Sequence, residues 1–170
     1  LILGDKLVGS SISDLKKRPS CLFLIGDQIY ADGVSGPLIG YLTRLGTDLL
    51  GWRENIDGID SNLEDIPIGG RKQIVNSKSQ FSSGVSDNHL LGFGEFAAMY
   101  LVAWNPLLWP QEFGSNLFKL HPSSELKQKY EKELRELEQS RKIIRKVRRL
   151  LANIPTYMIC DDHEITDDWN

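Results

Sequence analysis

With 170 residues, a quarter of them charged, and a formal net charge of −3, the chain has the length of one domain that can bury its own core. That balance gives no global field favouring nucleic acid or a membrane surface, and no apolar run approaches the length of a membrane span. Two cysteines are too few for a disulfide scaffold. Cys21 opens one apolar run and Cys160 closes another, so both are expected as buried small apolar residues, at opposite ends of neighbouring strands and unable to bridge.

Residues 3–18 carry Leu7, Val8, Ile12 and Leu15 at loosely helical spacing, end in Lys16, Lys17 and Arg18, and meet Pro19, which predicts a helix stopped by proline. "CLFLI", residues 21–25, is a short continuous apolar run, as expected of a strand covered on both faces. From 35 to 89 turn formers dominate, and the segment is expected to be mostly loop with short helices, "GYLTRLGTDLLGW" being the best helical stretch. Leu90, Phe93, Ala97, Tyr100, Leu101 and Trp104 recur at helical spacing before Asn105-Pro106 ends the element. Residues 123–152 are the clearest helix: Ser123 or Ser124 can cap it, and Leu126, Tyr130, Leu134, Leu137, Ile144, Val147 and Leu151 form one stripe. Acids fill its first half and "RKIIRKVRR" its second, complementing the helix dipole; the basic half reads as a solvated face before it reads as a phosphate-binding one. Pro155 separates it from a second apolar run, "TYMIC". Helix, strand, long helical crossover and strand predict an α/β fold with two parallel strands.

Each apolar run ends in acids. Ligands in such sheets gather beyond the carboxyl ends of the strands, so both clusters are expected on one rim, exposed rather than buried. In "GDQIYAD", residues 26–32, Gly26 allows a sharp turn and Asp27 has two hard oxygens that can bridge two cations. Tyr30 follows three residues later; a strongly Lewis-acidic ion such as ferric iron can deprotonate a phenol and so make it a ligand. Asp32 is placed as an acid that orients a ligand. Ordinary turn chemistry explains the same glycine and aspartates. In the second cluster Asp161, Asp162 and Glu164 surround His163. Carboxylates this close repel unless cations offset them, and they bias an imidazole toward its protonated form, suited to a general acid. An acidic helical turn explains the carboxylates but not the histidine. His89 and His121 precede an apolar helix and a proline and are expected as surface or capping residues.

"GDQIYAD" and "DDHEITDDW" resemble two metal-binding blocks of the PhoD-like (alkaline phosphatase D) family of metallophosphoesterases, and the first is also similar to its counterpart in purple acid phosphatases. The resemblance implies an αββα sandwich and a two-metal site. Asp27 would be the bridging ligand, Tyr30 a terminal ligand to iron, Asp162 a ligand to the second metal and His163 the group that meets the phosphate and assists the leaving group. Asp32, Asp161 and Glu164 would support them. The implied cofactors are ferric iron with calcium or another divalent cation, and the implied substrate is a phosphate mono- or diester. "HLLGFGEFAAMYLVAW" resembles the helical insertion of larger members. The family's first block is expected upstream of residue 1 and its later histidine- and aspartate-containing blocks beyond residue 170. Residues 1–170 thus read as part of a metallophosphatase domain, with 33–154 a mainly helical insertion, inert when isolated. Localisation and oligomeric state stay open, although members of the resembled family are often secreted. The competing expectation is a non-catalytic module, helical or calcium-binding, whose acids hold calcium structurally.

Overall fold

The computed structural model describes residues 2–79, 81–113 and 124–168. Five α-helices and two strands follow along it: α1 (Ile2–Ser10), β1 (Leu22–Leu24), α2 (Gly36–Leu50), the short α3 (Lys72–Ile74), α4 (Phe93–Trp104), α5 (Ser124–Leu151) and β2 (Thr156–Met158). The class is mixed α and β, as expected. β1 and β2 pair in parallel with Leu22 opposite Thr156, Phe23 opposite Tyr157 and Leu24 opposite Met158. The chain between them runs through α2, α4 and α5, the kind of long crossover that parallel strands require.

α1 is shorter than its pattern suggests. Ser10 and Ser11 turn their hydroxyls onto the carbonyl of Leu7 at 3.0 and 2.7 Å. Such side-chain bonds compete with the helical ladder, and only a single 3₁₀ turn, Leu15–Lys17, follows. Val8 packs with Leu150, Ile154 and Leu22, so α1 and the end of α5 cover one face of the sheet. The bare side corrects the expectation of a strand covered on both faces. Phe23 and Tyr157 stack on it with ring centroids 5.3 Å apart, and they are 62% and 58% exposed, beside Ile25 at 80% and Ile159 at 62%. Cys21 and Cys160 are exposed, contrary to expectation, and both are free thiols. Among the described residues no second layer covers this face.

The larger core lies in the crossover, where Ala31, Val34, Leu38, Leu42, Leu90, Ala98 and Val102 are buried together. α2 and α4 approach to backbone contact: a Cβ on Gly46 would lie 2.5 Å from the carbonyl carbon of Gly94, so only glycine fits there. The buried face of α4 is rotated from the expected one. Glu95, Ala98 and Val102 are buried, whereas Phe93 and Leu101 are exposed. The rotation follows from Arg71, whose guanidinium grips Glu95 through Nη1 and Nη2, both at 2.7 Å. Thr43 of α2 donates to the same carboxylate at 2.6 Å, and Arg71 also donates to the carbonyl of His89 at 2.8 Å. A buried charge needs such partners, and this network ties α2, α4 and the 71–91 segment together. α5 spans its predicted length, Ser124 opening it; Leu150 rather than Leu151 is the buried residue of its last turn. The basic side chains of its second half are exposed apart from the half-buried Arg141, which donates to the carbonyls of Gln111 and Pro110 at 2.6 and 2.8 Å; the exposed Arg149 pairs with the buried Asp5 of α1 through two bonds of 2.6 Å. Ser123 and His121 lie outside the described residues.

Candidate functional site

The parallel register carries both acidic clusters to one end of the sheet. Beyond β1 the backbone turns at Gly26 with φ 118° and at Asp27 with φ 51°. A side chain at 26 would be strained by that φ, and its Cβ would lie 2.5 Å from Asp161 Oδ2. Glycine is therefore what lets the β1 loop press against the β2 loop. Asp27 adopts the left-handed region that aspartate tolerates better than most residues.

Glu164 joins the two loops. Its buried carboxylate accepts from the amides of Asp27 at 3.3 Å, Gln28 at 2.5 Å and Asp161 at 2.9 Å. Asp161 caps a 3₁₀ turn, Asp162–Glu164, so the helical-turn chemistry weighed for this cluster is present in the fold. The Ala31 amide also donates to the carbonyl of His163 at 2.9 Å. These bonds bring Asp27, Tyr30, Asp32, Asp161, Asp162, His163 and Glu164 together, all of them positions singled out in the sequence. Exposure divides them in a way that was not expected: Asp27, Tyr30 and Asp161 are exposed, but Asp32 and Glu164 are buried.

Two sets of ligand-type atoms result. Asp27, Asp161 and Asp162 each offer a carboxylate oxygen, all within 4.8 Å of one another, and Asp162, His163 and Asp167 do the same. Asp162 is common to both. The first set is oxygen only and open to solvent, a donor set that hard cations accept with water completing the shell. Tyr30 donates its hydroxyl to Asp27 Oδ2 at 2.9 Å, and its ring lies 4.6 Å from that of His163. The bond to Asp27, with burial and the surrounding carboxylates, raises the phenol above its ordinary pKa. Only a strong Lewis acid would therefore remove its proton at neutral pH.

His163 is gripped by Asp32, whose oxygens lie 3.2 and 3.1 Å from Nδ1; Nε2 lies 3.6 Å from Asp167. Burial opposes protonation of the imidazole, but the bond to Asp32 and the charges of Asp32, Asp162 and Asp27 outweigh it and raise its pKa. Asp162 is held ionised: the Asp168 amide donates to its Oδ2 at 2.8 Å and, against partial burial, lowers its pKa.

Sequence reasoning missed four neighbours. Asp167 is four residues after His163, a spacing that a helical turn brings together. Ser82 and Ser83 come from the 81–90 segment of the crossover: Ser82 donates to the carbonyl of Asp167 and Ser83 to Asp32 Oδ2 at 2.9 Å. Nothing in "FSSG" signals that seat. His89 is the fourth, and its placement corrects the expectation of a surface residue: it is fully buried, stacked on Phe81 at 4.5 Å, and burial lowers its pKa.

No family model matches this chain, and no curated protein or solved structure matches it.

Proposed function

We propose that this chain carries the central part of a metal-dependent phosphoesterase site that hydrolyses phosphate mono- or diesters. The observation that supports the reading best is the meeting of the two strand ends, where Asp27 reaches within 4.8 Å of Asp161 and Asp162 beside a phenol and a histidine already held by an acid. On this reading the parallel pair is part of an αββα metallophosphoesterase sandwich, with residues 33–154 as its mainly helical insertion.

Asp27, Tyr30 and Asp162 would hold the cations, ferric iron beside the phenol and calcium or another divalent ion next to it. When bound, the cations would supply charge neutralisation for the phosphoryl oxygens and a nucleophile at neutral pH. Asp161 caps the turn that presents Asp162, and Glu164 fixes the spacing of the two loops. Asp32 holds the Nδ1 side of the imidazole, so His163 has Nε2 for a proton at the departing oxygen. Two carboxylates and a phenol are too few to hold two cations and leave room for water, so further ligands would come from the same polypeptide outside residues 1–170, and these residues alone are expected to be inert.

The test is hydrolysis of p-nitrophenyl phosphate and bis-p-nitrophenyl phosphate by the full-length polypeptide loaded with Fe3+ and Ca2+. Turnover is expected, with His163→Ala slower by about 10²- to 10⁴-fold, the usual worth of a general acid. Equal turnover by the two proteins would contradict the role given to His163. A second reading, structural calcium binding, is favoured by the oxygen-only set of Asp27, Asp161 and Asp162. Calcium bound tightly without any redox metal, and no turnover of either ester, would select it.

A further inference from the structure

The 81–90 segment is pinned to the site from several directions. The Leu90 amide donates to the carbonyl of Ala31 at 2.8 Å, and the Arg71 amide donates to the carbonyl of Asp87 at 3.1 Å. Arg71 Nη1 holds the carbonyl of His89, and Phe81 folds back onto the His89 ring. Ser83 is carried between these anchors and is buried.

Its hydroxyl has three neighbours: Asp32 Oδ2 at 2.9 Å, the carbonyl of Val85 at 3.0 Å and the amide of Val85 at 3.1 Å. A hydroxyl has one proton to give. The Val85 amide can only donate, so it fills a lone pair of the serine oxygen. Of the two acceptors, the carboxylate forms the charge-assisted bond, roughly twice as strong as a neutral one. The proton therefore goes to Asp32. Asp32 is itself buried, and its other partner among the described hydrogen bonds is His163 Nδ1.

We propose that Ser83 is a positioning residue for His163: its hydroxyl, donated to Asp32, fixes the carboxylate that holds the imidazole by Nδ1–H and leaves Nε2 on the side of Asp167. The proposal rests on the phosphoesterase reading for its consequence in turnover, but not for the arrangement itself. A bound Nδ1–H selects one neutral tautomer of the ring. Loss of the serine proton would free the carboxylate to rotate, and the imidazole with it. Misplacement of a reacting group by an ångström lowers turnover far more than it lowers substrate binding.

Two measurements on the full-length polypeptide test this. Long-range proton–nitrogen spectra of the metal-free protein, recorded where the ring is neutral, report which nitrogen of His163 carries the proton; its signals are assigned by their loss in His163→Gln. The wild type is expected to carry it on Nδ1, Ser83→Ala to show a mixture, and Ser83→Thr, which keeps the hydroxyl, to resemble the wild type. With metals loaded, Ser83→Ala is expected to lower kcat by about 10- to 100-fold with KM changed less than about twofold, and Ser83→Thr to restore most of kcat. A wild-type ring protonated on Nε2 overturns the proposal without any variant, so it stays testable if Ser83→Ala fails to fold. An unchanged tautomer and kcat in Ser83→Ala overturns it as well. The expected tautomer shifts in a protein that hydrolyses neither ester would sustain the Ser83 arrangement and overturn the phosphoesterase reading alone.

Discussion

Replacing Arg71 by Met removes the cation from the centre of the crossover and leaves its carboxylate behind. The two side chains are each only 2% exposed. Glu95 would keep the Thr43 hydroxyl at 2.6 Å and the Leu91 amide at 2.9 Å, but lose both guanidinium bonds. Leaving one charge of a buried pair without its partner costs about 3–5 kcal/mol. At about 2–4 °C per kcal/mol for a chain of this size, the midpoint of thermal unfolding should fall by roughly 6–20 °C. The pH dependence gives a second signature. Burial favours the neutral form of Glu95, but Arg71, Thr43 and Leu91 together outweigh it and hold the pKa below its ordinary 4.5. A depressed carboxylate stabilises the fold above its unfolded pKa, and that contribution is lost as pH falls through the folded one. In Arg71→Met burial prevails and the sign reverses, so the deficit should be largest at neutral pH and shrink as acid protonates Glu95. Adding Glu95→Met should recover most of the loss, because an apolar replacement of both partners is often neutral or stabilising. Urea and thermal denaturation of the single and double variants measure this. A loss below about 1 kcal/mol in Arg71→Met, or a double variant weaker than the single, would refute the account of this network.

On the proposed reading Asp27 would hold both cations, so Asp27→Asn should cost more phosphoester hydrolysis than Asp32→Asn, an acid acting through another residue, whose loss costs about 10- to 100-fold; equal effects in kcat/KM would mean the bridge is misassigned. Tyr30→Phe should abolish the visible charge-transfer band expected of the iron-loaded protein; a colourless, iron-free and fully active wild type is the contrary result. Gly26→Ala should weaken metal retention and lower the unfolding midpoint, since its Cβ would lie 2.5 Å from Asp161 Oδ2 at φ 118°; equilibrium dialysis and a melt matching the wild type would show that the loops tolerate separation.

The local chemistry of the strand ends was legible in the sequence because it is local. A glycine after an apolar run, acids within the next turn and a repeat of that pattern on a second run place Asp27, Asp32, Asp162 and His163 at one sheet edge once the strands are parallel. The bonds that hold them there were not legible, because they join residues far apart in the chain. Glu164 reaches the amides of Asp27 and Gln28, and Ser83 reaches Asp32, and neither contact has a spacing. The face of α4 was misread for a related reason: its hydrophobic pattern ranks Phe93 above Glu95, but a buried Arg71 on another segment decides which of them turns inward. The serines at the end of α1 favour its early end by a propensity weaker than the apolar repeat that runs past them. The bare face of β1 and β2 was misread because a continuous apolar run is consistent with two covered faces and cannot say which layers are present.

On the proposed reading the two strand ends together would hold catalytic cations. The most direct test is metal content and turnover measured on the same samples of the full-length polypeptide, before and after chelation and after stepwise return of Fe3+ and Ca2+. Bis-p-nitrophenyl phosphate hydrolysis is expected to disappear with the metals, to return in proportion to their occupancy, and to fail to return in Asp27→Asn. Hydrolysis that survives complete removal of metal, or that Asp27→Asn recovers at full occupancy, would contradict that reading.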